Sequence, residues 1–161
     1  MAEERTLVVV RHAKSDWHTG VPDVERPLAP RGLRDAPEVG AWLAANLAGV
    51  DLVVCSTATR ARQTWSLAGN GLDPAPQVRY EPRVYDATHG ELMSIVEELP
   101  QDVATTVLVG HNPGLAELVE VVSGERAELK TSTVAVLRWA GSWARVWARR
   151  ASLVTLATPR G

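Results

Sequence analysis

Three short apolar runs, each closed by a polar segment, constrain this chain most. Residues 6–10 read Thr-Leu-Val-Val-Val, residues 51–55 Asp-Leu-Val-Val-Cys and residues 105–109 Thr-Thr-Val-Leu-Val. Runs this short and continuous read as strands buried on both faces. Helical periodicity fills the stretches between them. Leu33, Ala36, Gly40, Leu43 and Leu47 step by three and four residues and mark one helix face, with Pro37 setting either a start near Asp35 or a kink. Thr88 and Glu91 form a capping box ahead of Leu92, Ile95, Val96 and Leu99, which predicts a helix over 88–99. A further helix is predicted over 112–123, with Asn112 as cap, Pro113 in the first turn and Gly124 as terminator. Its inward stripe is Leu115, Leu118, Val119 and Val122. Buried strands alternating with amphipathic helices predict an α/β fold, three layers α/β/α around a mixed, mostly parallel sheet.

The C-terminal third changes character. Val134, Val136 and Arg138 alternate with Thr133, Ala135 and Leu137, and Ala140-Gly141-Ser142 offers a turn into 143–147. This reads as a hairpin, followed by a strand at 152–156. Trp139, Trp143 and Trp147 also recur every four residues amid arginines, which on a helix would make a membrane-surface stripe. The Gly141-Ser142 break favours the hairpin instead.

At 161 residues one domain over 1–161 is expected. Apolar residues at 45% and charged residues at 22% exclude disorder and collagen-like structure. With six Trp, two Tyr and no Phe, the core must be filled mainly by Leu, Val and Ala. A net charge of −2 and no polybasic run argue against a nucleic-acid partner. The single Cys55 excludes an internal disulfide and a cysteine-rich zinc site. The start Met-Ala-Glu-Glu-Arg lacks a signal-peptide core, and no apolar run reaches the roughly 18 residues of a membrane span. No membrane association is expected, and the expected location is the cytoplasm.

In open α/β sheets, ligands bind beyond the carboxyl ends of the strands. The first strand ends in Arg11-His12-Ala13-Lys14-Ser15 and the third in Gly110-His111-Asn112-Pro113-Gly114. The second ends in Ser56-Thr57-Ala58-Thr59-Arg60, which puts Arg60 at a helix start on the same rim. His111 stands one residue before a helix cap, where free N–H groups favour an anion. A lone strand-end His is more often structural. Two His and two Arg converging on one rim describe a pocket for a dianionic phosphoryl group.

These segments resemble the histidine phosphatase superfamily, the phosphoglycerate mutase-like enzymes, and within it the short SixA-like phosphohistidine phosphatases. Arg11-His12 matches the family dyad. Ser56 to Ala61 with Gln63-Thr64 matches its Ser-x-x-x-Arg-Ala-x-Gln-Thr segment, and Val109 to Pro113 matches the second-histidine motif. Arg26-Pro27-Leu28, Arg31-Gly32, Tyr85 and Ala87 match the short branch, and the likeness spans residues 6–157.

The resemblance implies that His12 attacks phosphorus and forms a phosphohistidine intermediate, with Arg11, Arg60 and His111 binding the phosphoryl oxygens. Ser15 is a further donor. His18 stands where many relatives carry a phosphate-contacting Asn, and its imidazole is a candidate donor too. Neither a metal nor a cofactor is expected. Larger relatives carry a Glu general acid, whereas this chain has Val84-Tyr85-Asp86-Ala87 with no clearly aligned Glu. An alkoxide leaving group needs a proton, while an imidazole protonated on its remote nitrogen leaves neutral. The missing acid therefore points to phosphohistidine or another activated phosphoryl group, unless Asp86 serves as acid rather than as a loop residue. The expected partner is a phosphorylated protein or a small phosphorylated substrate. A small-metabolite phosphomonoesterase, a mutase and a non-catalytic phospho-binding module are the alternatives. A Cys55 nucleophile is disfavoured, because only four residues separate it from Arg60 where five are needed.

Overall fold

The computed structural model describes residues 3–146 and 150–161. Six strands form one sheet in the order β3-β2-β4-β1-β5-β6: β1 Glu4–Arg11, β2 Leu52–Ser56, β3 Gln77–Glu81, β4 Thr105–Gly110, β5 Val134–Ala140 and β6 Ser152–Ala157. Strands β3, β2, β4 and β1 run parallel, and β5 is antiparallel to both neighbours, so the sheet is mixed and mostly parallel. The three apolar runs are its centre. Alternation of side chains along each strand sorts the core into two faces. Val8, Val10, Val53, Cys55, Val107 and Val109 pack under α1 (Pro30–Asn46) and α2 (Thr59–Ala68), through Val39, Leu43, Ala61 and Trp65. Leu7, Val9, Leu52, Val54 and Leu108 pack under α3 (His89–Glu97) and α4 (Gly114–Ser123), through Leu92, Ile95, Leu115 and Leu118.

The capping box forms as read: Thr88 Oγ1 accepts the Glu91 N–H at 3.2 Å and Glu91 Oε1 accepts the Thr88 N–H at 3.0 Å. Gly124 ends α4 in the left-handed region at φ 76°. Asn112 differs from expectation. It lies ahead of the helix, and its Oδ1 accepts the Ala116 N–H at 3.3 Å while Nδ2 donates to the Leu129 carbonyl.

Helix α1 starts earlier than expected, at Pro30, and runs through Pro37. Asp35 is no cap. Its buried carboxylate takes Arg160 Nη1 and the Gly161 N–H, each at 3.0 Å. Leu33 points outward, because the buried face is Gly32, Ala36, Val39, Gly40 and Leu43. Gly32 lies so near the first strand's exit that a Cβ would run into the Lys14 carbonyl oxygen.

The expected hairpin strand over 143–147 is also corrected. Trp143–Arg145 is a 3-10 turn, residue 147 lies outside the described residues, and β5 pairs instead with β6. Burial is the physical reason: Trp143 turns into the core, meets Trp139 edge-on at 5.3 Å and donates its Nε1–H to the Val103 carbonyl at 2.8 Å. Strand β3 went unread because it is a polar sheet edge, with Gln77, Arg79 and Tyr80 exposed. Among the described residues no helix is long and apolar enough to cross a membrane.

Candidate active site

Parallel pairing of β1 with β4 sets Arg11 opposite Gly110, so the residues that follow leave the sheet side by side. The His12 N–H donates to the Gly110 carbonyl at 3.1 Å, and the His12 and His111 ring centroids lie 5.1 Å apart. His12 is buried at 6% exposure. Its Nδ1 sits 2.7 Å from the Ala13 carbonyl, which can only accept, so the ring proton is on Nδ1 and Nε2 keeps its lone pair. Burial first, then the positive groups around it, lower its pKa to about 3. The ring is therefore neutral at neutral pH.

His111 is tied at the other nitrogen. Its Nε2 lies 2.7 Å from Ser56 Oγ, which also accepts the Ala58 N–H at 3.2 Å. The Ser56 oxygen keeps a second lone pair as well as its proton; with that proton donated to Nε2, the imidazole proton sits on Nδ1, which is buried without a partner among the described residues. Burial, then Arg60, lower the His111 pKa to about 4.

Arg60 enters from the first turn of α2 and is buried, with both Nη atoms on Asp23: Nη1 to its carbonyl at 2.7 Å and Nη2 to Oδ2 at 3.1 Å. Arg11 holds the Leu129 carbonyl at 3.0 Å through Nη1. Arg26, from the loop after β1, gives Nη1 to Ser15 Oγ and Nη2 to Asp23 Oδ1 at 3.0 Å. The Nε of Arg11, Arg26 and Arg60 are all buried without a partner among the described residues. Burial and the nearby Arg60 lower the pKa of Arg11, and Arg60, Arg11 and Arg26 all act electrostatically on His111. The Nε atoms of Arg11 and Arg60 and the Nδ1 of His111 are thus buried nitrogens without partners among the described residues, on the three side chains that act electrostatically on His12. Buried donors are rarely left unpaired, and an oxyanion's oxygens are the complement.

Residues 7–140 match the model of the histidine phosphatase superfamily (branch 1). The chain belongs to that superfamily. It lies on the SixA-like branch. An uncharacterised protein of Mycobacterium tuberculosis is 46% identical to it over 94% of this chain and all of that one. A structure from Nakamurella multipartitia that provisionally bears the name phosphohistidine phosphatase SixA superposes with a TM-score of 0.87 at 35% identity, over 98% of both chains. The protein histidine phosphatase SixA in complex with tungstate shares the fold at a TM-score of 0.83 and 20% identity, over 96% of this chain and 97% of that one.

The superfamily motif can be read contact by contact. Ser56 sets His111, and Arg60 reaches the site. Gln63 Oε1 accepts the Leu28 N–H at 2.7 Å. Thr64 Oγ1 accepts the Ala13 N–H at 3.0 Å and donates to the Arg60 carbonyl at 2.7 Å. Of the residues expected from sequence, the fold brings together His12, His111, Arg11 and Arg60. Ser15 is buried beside them with its Oγ engaged by Arg26. His18 is exposed on the loop, its backbone N–H donated to Asp16 Oδ1 at 2.9 Å. Asp86 is exposed at a left-handed turn, φ 56°. The carboxylate bonded into the site is Asp23, which also takes the Tyr85 hydroxyl at 2.6 Å.

Arg26, Asp23 and Tyr85 were missed as site residues. The Arg26-Pro27-Leu28 segment and Tyr85 were visible as branch signatures, and Asp23 carried no signal of its own. Cys55 is buried in the core under α1 and α2, and burial pushes its thiol up to about 12, so it is no nucleophile. Arg62 stacks on Tyr80 at the sheet edge, with its guanidinium carbon 4.5 Å from the ring centroid.

Proposed function

We propose that this chain is a metal-independent phosphatase that works through a phosphohistidine on His12, acting on phosphohistidine or another activated phosphoryl group of a phosphorylated protein or small substrate. The observation that carries this is an uncharged, buried His12, fixed through Nδ1 and with Nε2 free, beside Arg11, Arg60 and His111. The Nε2 lone pair attacks phosphorus in line and a P–N bond forms. The bond to the leaving group breaks, and that group takes the bonding pair. Water then attacks the phosphohistidine, which releases inorganic phosphate and neutral His12, so the net change is hydrolysis. Guanidiniums and the His111 Nδ1–H meet the charge on the equatorial oxygens.

Leaving-group chemistry favours an activated donor. Tyr85 and the two guanidiniums hold the Asp23 carboxyl well below the usual carboxylate range, so the acid nearest the pocket has no proton to give. A phosphorylated imidazole protonated on its remote nitrogen departs neutral and needs none.

The test is phosphate release from a phosphohistidine protein and from an aryl phosphate, with EDTA present, for wild type and His12→Ala. Turnover by wild type with the phosphohistidine substrate preferred, and a loss of roughly 10³-fold or more in the variant, is the expected result. A wild type that binds vanadate yet releases no phosphate from either substrate would mark a phospho-binding module. Preference for unactivated alkyl phosphates would mark a metabolite phosphomonoesterase.

A further inference from the structure

The mouth of the site holds one carboxylate that the phosphoryl step does not use. Asp23 stands on the 3-10 turn Asp23–Glu25, in the loop between β1 and α1. Four hydrogen bonds from three separate parts of the chain end on it. Arg60 gives both Nη donors, one to the carbonyl oxygen and one to Oδ2, Arg26 gives Nη2 to Oδ1, and Tyr85 gives its hydroxyl to Oδ2. Burial runs opposite to the usual order. The Asp23 side chain is 49% exposed while those of Arg26 and Arg60 are 8% and 7% exposed. The acid closes over two buried cations from the solvent side.

A guanidinium has five donors on a flexible stem, so the donors it shows a ligand depend on what fixes its plane. Asp23 takes both terminal nitrogens of Arg60, and with Ser15 it takes both of Arg26, leaving each Nε as the buried nitrogen without any partner among the described residues. The same carboxylate offsets the repulsion among guanidiniums close enough for Arg60 to lower the pKa of Arg11. Through Tyr85 it also reaches His111, whose ring meets the Tyr85 ring edge-on at 5.6 Å.

We propose that Asp23 is a positioning residue of the phosphoryl site: it fixes Arg26, Arg60 and Tyr85 before substrate arrives, so that the remaining N–H donors already fit the transition state. This rests on phosphoryl transfer to His12 and adds to it a residue that touches neither phosphorus nor the leaving group. Donors that need no reorganisation during the reaction act on the chemical step more than on ground-state binding.

The test compares wild type with Asp23→Asn and Asp23→Glu in steady-state turnover, and in affinity for vanadate, whose trigonal bipyramid resembles the transition state, and for inorganic phosphate. Asp23→Asn should lower kcat and vanadate affinity by about 10- to 100-fold, with KM and phosphate affinity within about 3-fold, and Asp23→Glu should restore part of the loss. The turn is exposed, so Asp23→Asn should melt within a few degrees of wild type, and Asp23→Glu carries the comparison if it does not. Wild-type kcat and vanadate affinity in a folded Asp23→Asn chain would overturn the proposal. So would tighter phosphate binding with faster turnover, since the carboxylate would then be a competitor for the site. If wild type turns over no substrate, the phosphatase reading fails by itself, and the vanadate-to-phosphate affinity ratio of the variant still decides the role of Asp23.

Discussion

His12 and His111 leave neighbouring strands at paired positions and are open at opposite ends of their rings. The Ala13 carbonyl holds His12 at Nδ1 and leaves a lone pair at Nε2. The Ser56 hydroxyl holds His111 at Nε2 and leaves Nδ1 without a partner among the described residues. In the proposed mechanism one is the nucleophile and the other an oxyanion donor, and what separates them is which nitrogen the partner occupies. Residue type and place in the fold do not distinguish them. The hydrogen bond does.

Substitutions at each ring and its partner should separate the two roles. His12→Ala removes the attacking atom, and no acid-labile phosphoenzyme should form on brief mixing with substrate. His111→Ala leaves the nucleophile intact, so the phosphoenzyme should still appear, at a rate lower by about 10²-fold, the usual loss for one oxyanion donor. Equal loss of the phosphoenzyme in both variants would erase the distinction. Ser56→Ala removes the partner at His111 Nε2, together with the acceptor of the Ala58 N–H at the start of α2. Turnover should fall by about 10-fold, and the ¹⁵N shifts of the His111 ring should show Nδ1 losing part of its proton.

The smallest effect is a pH dependence. Both rings titrate below the ordinary 6.5, at about 3 for His12 and about 4 for His111, burial being the main cause of each. The unfolded chain protonates its histidines near pH 6.5 while the folded one does not, so the unfolded state binds more protons from about 6.5 down to about 4 for His111 and about 3 for His12. Stability should therefore fall as pH falls through that window, and His12→Ala should flatten part of the slope in thermal melts. Activity should persist below pH 6, since neither ring has yet gained its proton. An acid limb centred at 6.5 would contradict the neutral rings.

The parts of the molecule legible in the sequence are those where burial is periodic. The central strands announce themselves because both faces are covered, and α3 and α4 because their caps and stripes agree. Strand β3 hides because an edge strand needs few apolar residues. Pro37 obscures the start of α1, which Pro30 at the first helical position sets instead, while Asp35 lies inside the helix and pairs with Arg160. Trp143 follows a strand-like alternation yet turns inward. At the site, His12, Arg60 and His111 stand at strand ends and helix starts, where position alone suggests chemistry. Asp23 and Tyr85 meet across 62 residues of sequence, and Asp23 lies on a loop without period, so only the folded chain shows that they belong together.

The His12 N–H bonded to the Gly110 carbonyl belongs to the sheet's centre, whereas residues 17–25 are exposed and join few backbone bonds. In hydrogen-exchange terms, the first amide should be released only with global opening and the loop amides within far shorter times. The proposed nucleophile thus lasts as long as the fold itself. The amides of residues 17–25 can exchange many times within that life while the strand ends beneath stay in register.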